Sequence, residues 1–195
     1  DTLPVADALN TLAIVRQSQD RFDEAESLLM QSLAIRKRLA GAESKQVASN
    51  LHNLARNYHL SGKDTDKAII YLQQALDIKR KLGGERDPDF EVSQGDMGKM
   101  LRDSRKWQEA YDVLSRNLAL SRELYGEDSE NVAGSHNEFA YLLHDMGRFK
   151  EAADEYRAAM AIHRRLGNED AGVSVIPLNN LASALEDRGE YAAAE

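Results

Sequence analysis

Apolar positions along the chain recur at helical spacing and in a repeating order. Leu9, Leu12 and Ala13 share one face of a first segment, and Leu51, Leu54, Ala55 and Tyr58 repeat that arrangement. Aligning Leu12-Ala13 with Leu54-Ala55, Met97-Gly98, Phe139-Ala140 and Leu181-Ala182 gives spacings of 42, 43, 42 and 42 residues. A second marker, Ala25, Ala68, Ala110, Ala152 and Ala194, runs at 43, 42, 42 and 42. Two markers holding one period over five units establish an internal repeat. The extra residue falls between Gly62 and Ala68.

Each unit predicts two helices. The turn between them reads "QDRFDEA", "SRKWQEA", "MGRFKEA" or "RGEYAAA", with an aromatic at Phe22, Trp107, Phe149 and Tyr191. The second helix starts near the marker alanine and runs through Leu29, Leu33 and Leu39. Its copies carry Leu72, Leu76 and Leu82, then Leu114, Leu118 and Leu124, then Tyr156, Met160 and Leu166. Gly41, Gly84, Gly126 and Gly167 close it, where a left-handed residue is expected. Small residues at both markers let helices approach closely, and no alternating strand pattern competes.

Single units depart from this frame. Unit two has "SGKDTDKAI", with no aromatic, so its turn is expected to differ in shape. Gly95 and Gly98 fall inside a helix, and Gly98 holds the small-residue marker. Asn117 is expected to be a buried polar group, Ser174 an N-cap, and Pro177 a first-turn proline. The last unit stops early in its second helix, which reads as a piece of a longer array. The bounds are about 5–46, 47–90, 91–131, 132–172 and an incomplete 173–195. In such an array each repeat covers its neighbour, so self-association through open repeat ends is also expected.

"LNTLA…RFDEAESLLMQSLAIRKRLAG" and "LNNLASALEDRGEYAAAE" resemble tetratricopeptide repeats, of the long variety found in kinesin light chains. The resemblance covers essentially the whole chain. It implies an all-α, right-handed superhelix of antiparallel helix pairs, about four and a half repeats, with a peptide-binding groove lined by the first helices.

One stripe on each first helix points away from the apolar markers. It holds Asp7, Asn10, Ile14 and Gln17 in unit one, and Ser49, His52, Arg56 and His59 in unit two. Units three and four present Val92, Gly95, Lys99 and Arg102, then Gly134, Asn137, Tyr141 and His144. Unit five presents Ile176, Asn179, Ser183 and Glu186. Asparagine recurs at Asn10, Asn137 and Asn179, and a side-chain amide both donates to and accepts from an extended backbone. Kinesin light chains are similar in carrying such asparagines, although Gly95 breaks the ladder here. Arg56, Lys99 and Arg102, with His52 and His59 beside them, make the middle of the stripe basic.

The whole chain is acidic, with a formal net charge of −8. That argues against a general nucleic-acid binder and makes a basic groove a lure for an acidic segment. No cysteine is present, so there is no disulfide and no thiolate site, which fits a cytoplasmic protein. No apolar run reaches membrane-spanning length. No catalytic or phosphate-loop motif occurs, and the histidines are expected at the surface rather than on a metal. The basic ends "IRKRL", "IKRKL", "LSREL" and "IHRRL" are accounted for by the helix dipole.

The expected function is a non-catalytic protein-interaction scaffold without cofactor, binding an extended acidic peptide on its concave face. The site residues are Asn10, Gln17, His52, Arg56, His59, Lys99, Arg102, Asn137, Tyr141, His144, Asn179 and Ser183. The alternative is a structural or regulatory arm of a larger signalling kinase or STAND-type ATPase that contacts its own chain.

Overall fold

In the computed structural model, residues 2–167 are described, together with 180 and 182. Eight helices account for nearly all of them, and no strand occurs among the described residues. The first helices of the repeats are α1 (Leu3–Gln17), α3 (Lys45–Ser61), α5 (Pro88–Asp103) and α7 (Glu130–Asp145). The second helices are α2 (Phe22–Ala40), α4 (Thr65–Gly83), α6 (Trp107–Tyr125) and α8 (Phe149–Arg165). They form two compact units that divide between Met100 and Leu101.

In the first unit α1 packs on α2, α2 on α3, and α3 on α4; in the second α6 packs on α7 and α7 on α8. Connections as short as Ser18–Arg21 leave an antiparallel pair as the only arrangement for two packed helices. The marker alanines explain the closeness: Ala13, Ala25, Ala55, Ala68, Ala110, Ala140 and Ala152 are all fully buried. Leu29, Leu54 and Leu72 pack beside them with no exposed surface. The marker at Leu12 behaves differently and is 40% exposed, because α1 packs on α2 and α3 and nothing described covers its other side.

Three of the four closing glycines have a geometry other than the left-handed cap expected, while Gly167 has the expected positive φ, 71°. Gly41, Gly84 and Gly126 combine φ of 87°, 77° and 78° with ψ of 154°, −178° and 162°. That extended, positive-φ region is open essentially only to glycine. The left-handed residue sits in the other turn instead, at Asp20, Gly62, Arg105 and Gly147, one per repeat. Unit two keeps this residue and differs only after it. Asp64 accepts the amide of Lys67 and starts α4, where the other units begin on an aromatic. Ser44 and Ser129 cap α3 and α7 by accepting from Val47 and Val132. Ser174 and Pro177 lie outside the described residues.

Asn117 and Gly98 are buried as the repeat frame predicts. Asn50 is the polar surprise. It is fully buried in α3, and among the described residues neither end of its amide has a partner. An unsatisfied buried amide is destabilising, so Asn50→Leu, with the same branching but a bulkier end, is expected to raise stability by about 1 kcal/mol. Thermal or urea unfolding checks this directly.

Candidate functional site

The stripe on α1 and α3 is narrower than its sequence suggests. Gln17 is buried, and its amide nitrogen donates to the Asn53 carbonyl and to Asn57 Oδ1, each at 3.2 Å. Asn57 in turn donates to the Phe22 carbonyl at 3.1 Å. This buried relay ties α1, the turn and α3 together, so Gln17 has no exposed amide to offer. Asn57→Ala strips the relay and is expected to cost about 2 kcal/mol in chemical unfolding.

The asparagine ladder also has internal partners. Asn10 Oδ1 accepts from Asn53 Nδ2 at 3.0 Å. The equivalent contact one repeat on is His52 Nε2 to Asp96 Oδ2, again 3.0 Å, with His52 Nδ1 2.8 Å from Ser93 Oγ. In the second unit Asn180 Nδ2 lies 3.5 Å from Asn137 Oδ1. In each case a stripe residue meets the position just past the stripe in the next repeat. The signal was present as a polar residue at 53, 96, 138 and 180.

Asp96 and Glu138 change the electrostatics. In the first unit Asp96 gathers the cations: Lys99 Nζ is 3.7 Å away, and the charges of His52 and Arg56 also act on it. Burial by itself would raise the Asp96 pKa. The His52 hydrogen bond and the charges of His52, Lys99 and Arg56 outweigh it and hold the carboxyl below its ordinary value. A depressed folded pKa stabilises above the unfolded value, near 3.9, and that contribution is lost as pH falls through the folded pKa. The stability gap between the parent and Asp96→Asn should therefore be largest near neutrality and close as pH falls toward 2. Melting temperatures across that range test the sign.

Arg56 is exposed, and among the described residues no hydrogen bond or ion pair holds it. His59 is half-buried. Val92 is 51% exposed, and Ile14 44%.

In the second unit Arg102 is surrounded. Its guanidinium is 3.0 Å from Asp103, 3.7 Å from Glu138 and 3.7 Å from Asp145, and lies over the Tyr141 ring at 5.5 Å. Tyr141 is half-buried edge-on to Tyr156, and His144 packs against Phe149. The expectation of surface histidines is corrected at two positions. His136 and His163 are each 4% exposed; His136 Nδ1 is 2.5 Å from Glu155, and His163 Nδ1 3.3 Å from Glu130. No metal-binding cluster occurs among the described residues. Ile176, Asn179, Ser183 and Glu186 lie outside them.

The sequence profile of the tetratricopeptide repeat matches residues 4–81, 89–165 and 131–195. A clustered mitochondria protein homolog of Emericella nidulans is 29% identical over 112 residues, 54% of this chain and 9% of that protein. The homolog from Aspergillus oryzae is 28% identical over the same length. The chain therefore spans only about a tenth of these relatives. Among solved structures, BtubC (BKLC) from P. vanneervenii superposes with a TM-score of 0.86 at 24% identity, over 98% of this chain and 76% of that one. The nearly identical TPR-like repeats of Podosopora anserina, assigned to a kinesin light chain, give 0.84 at 23% identity, over 96% and 89%. A Rap protein complexed with competence and sporulation factor gives 0.74 at 20%, over 95% of this chain and 50% of that one. No described helix is long and apolar enough to cross a membrane. The all-α solenoid expected from the sequence is the fold these likenesses show, and the chain belongs to the tetratricopeptide repeat family.

Proposed function

We propose that the chain is a non-catalytic scaffold that binds an extended acidic peptide on its concave face, centred on α3 and α5 at Arg56 and Lys99. Tetratricopeptide repeats are protein-interaction modules, which supplies the general class. The particular observation is that Arg56 is an exposed cation without an ion-pair partner among the described residues, in a protein of net charge −8. His52 Nε2 and Lys99 Nζ stand 3.0 Å and 3.7 Å from Asp96, and Arg56 adds its charge beside them. Such a patch attracts and orients an acidic segment. Asn10 extends the same reading along the first helices of the first unit. The superposable Rap structure holds a bound factor, which supports partner binding as a use of this fold.

An alternating glutamate–glycine decapeptide, acetylated and amidated, is expected to bind, and its lysine–glycine counterpart is not. Raising the salt should weaken the former, because exposed charges are screened. Equal binding of both peptides, or of neither, favours the second reading: an arm of a larger signalling protein that contacts its own chain. The length of the relatives, of which this chain spans 9%, is the observation on that side.

A further inference from the structure

A cavity beside Lys79 has a filled counterpart one repeat earlier, within the same compact unit. In that earlier repeat Arg36 on α2 is buried. Its Nη1 donates to the Gln46 carbonyl at 2.9 Å, and its Nη2 stands 2.8 Å from Oδ1 of Asp7 on α1. Lys79 holds the matching place on α4, since Arg36 follows Ala25 by as many residues as Lys79 follows Ala68. Its Nζ donates to the carbonyl of Asp89, the counterpart of Gln46, at 2.7 Å, and to Ser93 Oγ at 2.6 Å. The counterpart of Asp7 is Ser49, which is too short and carries no charge.

The cation has thus kept its carbonyl while losing its carboxylate. A cavity of about 320 Å³ opens there, lined by Lys45, Ser49, Lys79, Leu82, Asp87 and Asp89. Its two carboxylates act on Lys79 through their charge, but each has another hydrogen-bond partner. Asp89 Oδ2 is 3.0 Å from Lys45 Nζ, and Asp87 Oδ1 accepts the Asp89 amide at 2.8 Å. Among the described residues Lys79 has no carboxylate partner, and an ammonium has three donors, of which two are used. Burial pushes its pKa down, more than the charges of Asp89, Asp87 and Asp96 push it up, so a further anion would relieve the desolvated charge.

We propose that this cavity receives a carboxylate of the bound acidic segment, which takes against Lys79 the place that Asp7 takes against Arg36. The inference rests on the acidic-peptide reading and names one subsite within it. Ser49 lies on the same face of α3 as Arg56, two turns away, so a segment crossing Arg56 reaches the cavity mouth.

The test uses the glutamate–glycine decapeptide with the parent chain, Ser49→Asp and Lys79→Met. Ser49→Asp supplies the carboxylate internally, as the preceding repeat does. It is expected to raise the melting temperature and weaken peptide binding about tenfold. Lys79→Met is expected to weaken binding by a similar factor. In the parent, the pH titration of the Lys79 Cε resonance should move to higher pH when peptide is bound. If the parent binds while both variants bind equally well, or while the Lys79 titration stays in place, the subsite is wrong and the acidic-peptide reading stands. If the parent binds no acidic peptide, both fall.

Discussion

Leu54→Ala is expected to lower the unfolding free energy by about 3 kcal/mol. Leu54 is fully buried on α3, a helix packed between α2 and α4. Removing its branched end leaves a cavity that the marker alanines Ala55 and Ala68, already fully buried, cannot fill. The matched control is Leu12→Ala. Leu12 occupies the same repeat position but is 40% exposed, so its loss should cost less than about 1 kcal/mol. The contrast isolates burial from sequence position, because both substitutions make the same chemical change in the same helical frame. Urea unfolding of the two variants beside the parent reads the difference. Similar costs at both sites would mean that the packing of α3 between its neighbours is not what stabilises the array.

Reversing the charges at Arg56 and Lys99 together, to glutamate, is expected to weaken acidic-peptide binding about a hundredfold while leaving the fold intact. Arg56 is exposed and Lys99 Nζ stands 3.7 Å from Asp96, so the variant loses two charges that help hold Asp96 ionised, a modest stability loss that leaves the apolar core in place. Arg102→Glu should behave in the opposite way. Its guanidinium sits among Asp103, Glu138 and Asp145, and a fourth carboxylate there leaves all of them repelling one another. A loss of about 2 kcal/mol in stability is expected, with peptide binding by the residual folded protein reduced less than in the Arg56 and Lys99 variant. Parallel calorimetric titrations and thermal melts separate the two kinds of effect.

The repeat frame was legible because periodicity is carried by small and apolar residues whose burial follows from position alone. Ala13, Ala55 and Ala140 fall where the period places them. The exposed surface was less legible. Counting Arg56, Lys99 and Arg102 as one basic stripe overlooked Asp96 and Glu138, which sit one residue off the stripe and meet it only when consecutive first helices stack. The amide at Gln17 looked available for the same reason, until Asn57 brought a buried partner to it. The basic helix ends illustrate the limit most clearly. A dipole argument accounts for a cation near a C-terminus, but it cannot distinguish Arg36, closed by Asp7, from Lys79, which faces a cavity. That difference arises from a single substitution on another helix, aspartate at position 7 against serine at 49.

The most direct measurement is amide chemical-shift mapping of the chain titrated with the glutamate–glycine decapeptide. Saturable shifts are expected to concentrate on the exposed faces of α3 and α5, around Ser49, Arg56 and Lys99, and to be lost in the charge-reversed variant. Shifts confined to the second helices, or spread without saturation over the whole surface, would contradict the acidic-peptide reading.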